Sequence, residues 1–160
     1  MGYTNYWLPK KLNKDEIPAQ FWKEAEEILD IIISKGVILA TGDGENRLNT
    51  GHDIIASSND QKGQEYPAIY FNGYRHGQDG EDESYETFGL VFDGDWNFCK
   101  TARLPYDLAV KCILMLAEDY DLLAVDKDDG SKWSFDGNVD EEEYVAAAEI
   151  MTAIRIKYNR

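Results

Sequence analysis

The chain is poor in the residues that usually carry acid–base, nucleophilic or metal chemistry. Its 160 residues include two histidines and two cysteines. Acid–base catalysis near neutral pH most often uses histidine, but His52 and His76 both lie in polar, glycine-bearing stretches read as loops. No G-x-S-x-G elbow presents a serine nucleophile. The histidine and cysteine spacings form no zinc pattern. Asp126-Lys127-Asp128-Asp129-Gly130-Ser131 opens like a calcium loop, but its twelfth position is Gly137, where a bidentate glutamate is required. Gly42-Asp43-Gly44-Glu45 follows a strand-like run without the lysine of a phosphate loop, and its carboxylates repel phosphate. Neither a metal nor a cofactor is expected, and no catalytic residue is assigned.

Other scarcities bound the setting. Cys99 and Cys112 are too few for a disulfide scaffold, which favours a reducing, cytoplasmic compartment. The longest apolar runs are too short to span a bilayer. The N-terminus has no signal-peptide pattern, and Tyr6 stands where a myristoylation motif needs Ser or Thr. Positive charge is scarce as well: 16 basic residues face 31 acidic ones, for a net charge of −15. Such a field repels nucleic acid and anionic membranes and attracts basic partners. It can imitate nucleic acid, or simply keep the protein soluble.

What is abundant is aromatic: four Trp, ten Tyr and six Phe, within a hydrophobic content of 43%. That supports one packed domain over residues 1–160. Residues 3–8 alternate as a strand closed by Pro9. Residues 15–35 carry Ile17, Phe21, Ala25, Ile28, Leu29 and Ile32 at helical spacing, with Gly36 as the exit. Val37–Ala40 reads as a short buried strand, and 41–65 as a long surface loop with a possible strand near Asp53–Ala56. Ala68–Phe71 reads as a strand. Thr87–Val91 and Trp96–Cys99 read as a hairpin about Asp93-Gly94-Asp95. A nearly all-apolar helix is expected from Pro105 to about Tyr120, and must be central. Two short strands, Leu122–Val125 and Lys132–Phe135, precede a last helix starting at Asp140. The order implies an α+β fold, with an antiparallel or mixed sheet packed by three helices.

The turn between Phe98 and Asp107 gathers Lys100, Thr101 and Arg103 before Pro105, which suits a first helical position. Free amides at a helix N-terminus together with these side chains suit a phosphate or carboxylate. The alternative is that Lys100 and Arg103 pair with surplus carboxylates while Thr101 caps a turn. Tyr3, Tyr6 and Trp7 offer flat faces, and Asn72 and Glu86 offer hydrogen bonds. Aromatic face, polar reader and anion clamp together describe a pocket for a phosphorylated, nucleotide-like molecule. A rival enzyme reading, a small hydrolase or transferase, takes Glu86 and Asp107 as carboxylates, with Lys100 and Arg103 as electrophilic stabilisers. Cys99 beside Lys100 either has a lowered pKa or points into the core. A third reading uses the acidic clusters 81–83, 126–129 and 140–143 to cover a basic, DNA-binding surface of another protein.

The chain resembles a family of small phage and bacterial proteins. The resemblance rests on Met1-Gly2-Tyr3-Thr4 with Tyr6-Trp7, on Phe71-Asn72-Gly73 and on Glu86-Thr87-Phe88. It continues through Phe98–Asp107, with Leu104 at the variable position, and Phe135-Asp136-Gly137. Asn5 and Tyr85 stand where the family has histidine, so an imidazole-dependent role does not carry over. The resemblance implies a phage-linked protein acting in the host cytoplasm, where small acidic proteins often counter host defence. It implies no particular activity.

Overall fold

Thr4–Trp7 forms strand β1 in the computed structural model, which describes residues 3–125 and 130–160. The remaining strands are β2 (Leu39–Ala40), β3 (Arg47–Leu48), β4 (Ala68–Gly73), β5 (Phe88–Val91), β6 (Asn97–Lys100) and β7 (Trp133–Phe135). The helices are α1 (Ala19–Ser34), α2 (Gly51–Asn59), α3 (Asp107–Asp119) and α4 (Glu142–Lys157). The architecture is α+β. Where one sheet and three helices were expected, the described residues form two antiparallel sheets, ordered β6-β1-β7 and β3-β2-β4-β5, and four helices.

Helix α3 is central because Ala109 through Ala117 are all buried. It packs between α1 and α4. Helix α1 contributes Phe21, Ala25, Ile28, Leu29 and Ile32, and α4 contributes Ala147, Ile150, Met151 and Ile154. Ile17 is buried but precedes α1: Pro18 is not helical, so Lys14–Glu16 form a separate short turn.

Three expectations are corrected. Asp53–Ala56 lies in α2 and is not a strand. The Thr50 side chain accepts the Asp53 N–H at 3.0 Å, and Ile54, Ile55 and Ser58 make a buried helical stripe. The expected hairpin separates, with β5 pairing β4 and β6 pairing β1. The backbone of Phe92 is the cause, since its N–H donates to the Pro67 carbonyl and its carbonyl accepts from Leu12. Leu122–Val125 forms only an isolated bridge between Leu123 and Pro9. No helix among the described residues is long and apolar enough to cross a membrane.

Candidate functional site

The cationic turn distributes its side chains in different directions. Ala102 and Arg103 adopt φ of 53° and 57°, a left-handed conformation that costs non-glycine residues about 1–2 kcal/mol each. The turn is anchored by the Thr101 N–H, which donates to the Tyr3 carbonyl at 3.0 Å. Thr101 goes inward: it is fully buried, and its hydroxyl donates to Asp107 Oδ1 at 2.7 Å. The same oxygen accepts from Asn5 Nδ2 at 2.9 Å, and Asp107 Oδ2 accepts from Lys111 Nζ at 2.7 Å. Lys111 also donates to Asn5 Oδ1 at 3.0 Å. All four side chains have zero exposure. The motif segments around residues 3–5 and 98–107 therefore converge on one internal polar network.

This network occupies the place expected for an external anion. Asp107 supplies a carboxylate in the first turn of α3, where the helix dipole favours it. The amides of Leu104, Asp107, Leu108 and Ala109 are taken by nearby carbonyls. Burial pushes the Lys111 pKa down, while the Asp107 charge and hydrogen bond oppose that shift. Its ammonium also lies 4.3 Å from the Tyr3 ring centre and 4.5 Å from that of Phe135.

Tyr3 and Arg103 cover this network. The Arg103 guanidinium lies 4.5 Å over the Tyr3 ring and pairs with Glu141 at 3.3 Å. The Tyr3 hydroxyl is buried without a hydrogen-bond partner among the described residues, and burial, then Asp107, raises its pKa. Lys100 points elsewhere and is exposed. Lys100, Thr101 and Arg103 thus do not converge on one anion.

Two more of the expected ligand contacts are committed internally. Trp7 is fully buried, with its ring 5.2 Å from that of Phe88. Asn72 is 3% exposed. Its amide nitrogen donates to the Gly42 and Tyr85 carbonyls, and its oxygen accepts the Gly73 and Tyr85 N–H groups. Full use of both amide ends leaves it nothing to offer a ligand.

Tyr6, Glu86 and Lys100 do reach the surface. Register places Tyr6 opposite Phe98 on the outer face of the three-stranded sheet. Trp96 joins them, stacked 6.1 Å from Tyr6 and tilted 5.5 Å from Phe98. Trp96 and Phe98 are 49% and 41% exposed, unusual for rings this large. The Tyr6 hydroxyl donates to Asp136 at 3.2 Å. Two residues beyond Phe98, on the same face of β6, Lys100 lines a cleft of about 390 Å³ with Arg75, Asp82, Ser84, Tyr85 and Glu86. Arg75 pairs with Glu45 at 2.7 Å. Hydrogen bonds from Ser84 hold Asp82 below the usual carboxylate range. Glu86 accepts the Lys100 N–H at 2.7 Å.

Sequence reasoning missed Trp96, Phe98, Arg75 and Tyr85 as surface groups, although the strict alternation of β6 already placed Phe98 opposite to Cys99. It also missed the Asp107–Lys111 pair, whose i,i+4 spacing inside an apolar helix was the available signal. Cys99 takes the inward course, and burial followed by the Glu86 charge pushes its thiol up to about 12. His52 lies on α2 and not in a loop, with Nδ1 3.2 Å from Glu26. The enzyme reading loses its carboxylate pair, because Asp107 is enclosed while Glu86 lies at the cleft. Among the described residues no cluster of three metal-ligating side chains forms. Asp126–Asp129 lies outside the described residues. No family model matches the chain, and no curated protein or solved structure is significantly similar to it.

Proposed function

We propose that the protein binds and sequesters a small phosphorylated, nucleotide-like molecule on the outer face of the β6-β1-β7 sheet. The observation that carries this reading is the aromatic cluster of exposed Trp96 and Phe98 with half-buried Tyr6, which leads along β6 to Lys100 at the cleft. Each part of a nucleotide finds a suitable surface. The aromatic rings stack on a base, a contact of about 1–3 kcal/mol per base. The carboxylates of Asp82 and Glu86 accept from ribose hydroxyls, and Lys100 and Arg75 attract phosphate. The surface replaces the α3 N-terminus as the place where a ligand would sit. A host immune signal is the ligand we propose.

The rival reading, an acidic cover for a basic host protein, has less support. Glu141 is tied to Arg103, and Glu83 accepts the Gln78 N–H. Those carboxylates serve local structure. The test is native mass spectrometry of the purified protein after incubation with a bacterial metabolite extract. Sequestration predicts a retained small molecule that denaturation releases unchanged. An altered product that accumulates with turnover would replace this reading with an enzyme. A stoichiometric host protein captured from whole lysate, with no small ligand, would favour the acidic inhibitor.

A further inference from the structure

A second cleft lies where the Lys14–Glu16 turn, α1 and α2 meet, and it shares no lining residue with the sheet-face cleft. It encloses about 310 Å³ and is lined by Lys14, Trp22, Glu26, His52, Ile55, Ala56 and Asn59. That volume is at the small end of ligand pockets.

Its walls are held firmly. Gly51 approaches α1 so closely that a Cβ there would lie 2.0 Å from the Glu26 carbonyl oxygen, so no other residue fits. The Gly51 N–H donates to Asp30 at 2.7 Å. These contacts dock α2 on α1 and bring His52 Nδ1 to 3.2 Å from Glu26 Oε1. Asn59 is committed, because its amide donates to the Ile55 and Ala68 carbonyls and accepts the Ala68 N–H.

What remains for a ligand is specific. Trp22, Ile55 and Ala56 give an apolar wall. Lys14 is exposed and makes no ion pair among the described residues. The Trp22 indole N–H is buried and has no acceptor among the described residues.

We propose that this cleft is a distinct site for a small molecule with a flat apolar ring system and one carboxylate group. The ring packs on Trp22, Ile55 and Ala56, and the carboxylate takes the exposed Lys14 ammonium. The assignment is independent of the sheet-face proposal, so either can fail alone.

The test is titration of the intact protein with naphthoate, followed through amide and indole proton resonances. Saturable shifts of the Trp22 indole N–H and the Ala56 amide are expected, with tighter binding than neutral naphthalenemethanol. Lys14→Glu should weaken naphthoate by about tenfold, equal to about 1.4 kcal/mol. Ala56→Trp, at an exposed helical position, should fill the cleft and abolish the shifts while the spectrum stays dispersed. Absence of shifts at Trp22, equal binding of the neutral analogue, or unchanged affinity in Lys14→Glu would each overturn the assignment.

Discussion

Lys111 Nζ lies 2.7 Å from Asp107 Oδ2, one helical turn away, and neither side chain is exposed. Breaking such a pair leaves an uncompensated charge in the core, a loss of about 3–5 kcal/mol. Lys111→Met should therefore cost about 3 kcal/mol or more in urea unfolding. A loss below about 1 kcal/mol would mean that Asn5 and Thr101 satisfy Asp107 unaided.

The two thiols should be inert in the folded state. Burial raises both Cys99 and Cys112, Cys99 to about 12, so little thiolate exists near neutrality. Iodoacetamide at mildly alkaline pH should label neither until denaturant is added. Rapid labelling of Cys99 in native protein would contradict its inward placement.

The end of α4 is tied back to α3 through acid-sensitive contacts. Asp119 accepts from Arg155 Nε at 2.7 Å and from Arg160 at 2.9 Å. Burial raises its pKa, but the hydrogen bonds and charges of both arginines prevail and hold it below the usual 3.8. A depressed folded pKa means stability is present above the unfolded value and is lost as pH falls through the folded one. Asp119→Asn should therefore destabilise by about 1 kcal/mol at neutral pH. The gap from wild type should close below about pH 4. A gap that does not change with pH would show that the carboxylate charge is not the source.

Arg103 packs over Tyr3 and pairs with Glu141, contacts that predict a structural role. Replacing it by Ala removes its stacking on Tyr3 and its pairing with Glu141. The expected loss is about 1 kcal/mol in stability, with ligand binding at the sheet face unchanged. Lost binding with unaltered stability would restore Arg103 to the site.

The buried polar network explains why much of the fold was readable while the site was not. The nearly all-apolar run of α3 declared its central position, and the aromatic residues before Pro9 pointed to β1. Helix α2 was hidden because Gly51 and the serines made its segment look like a loop, although Thr50-x-x-Asp53 was a usable start signal. Hairpin pairing failed because local spacing cannot report that the Phe92 backbone bonds with Pro67 and Leu12. At the turn, sequence showed that Lys100, Thr101 and Arg103 were neighbours. The left-handed conformations of Ala102 and Arg103 that direct them apart arise only with tertiary contacts. Asn72 read as a ligand contact because two of its three partner residues, Gly42 and Tyr85, are distant in sequence.

The central claim is that the Tyr6–Trp96–Phe98 face and Lys100 hold a phosphorylated, nucleotide-like ligand. Its most direct test is native mass spectrometry of wild type and a Phe98→Ala, Lys100→Glu double variant in the same bacterial metabolite extract. Both changed positions are exposed, so folding should survive. The account predicts that wild type retains one phosphorylated small molecule and that the double variant, still folded, retains none. Equal retention by both proteins, or a bare wild type in extract from defence-activated cells, would contradict it.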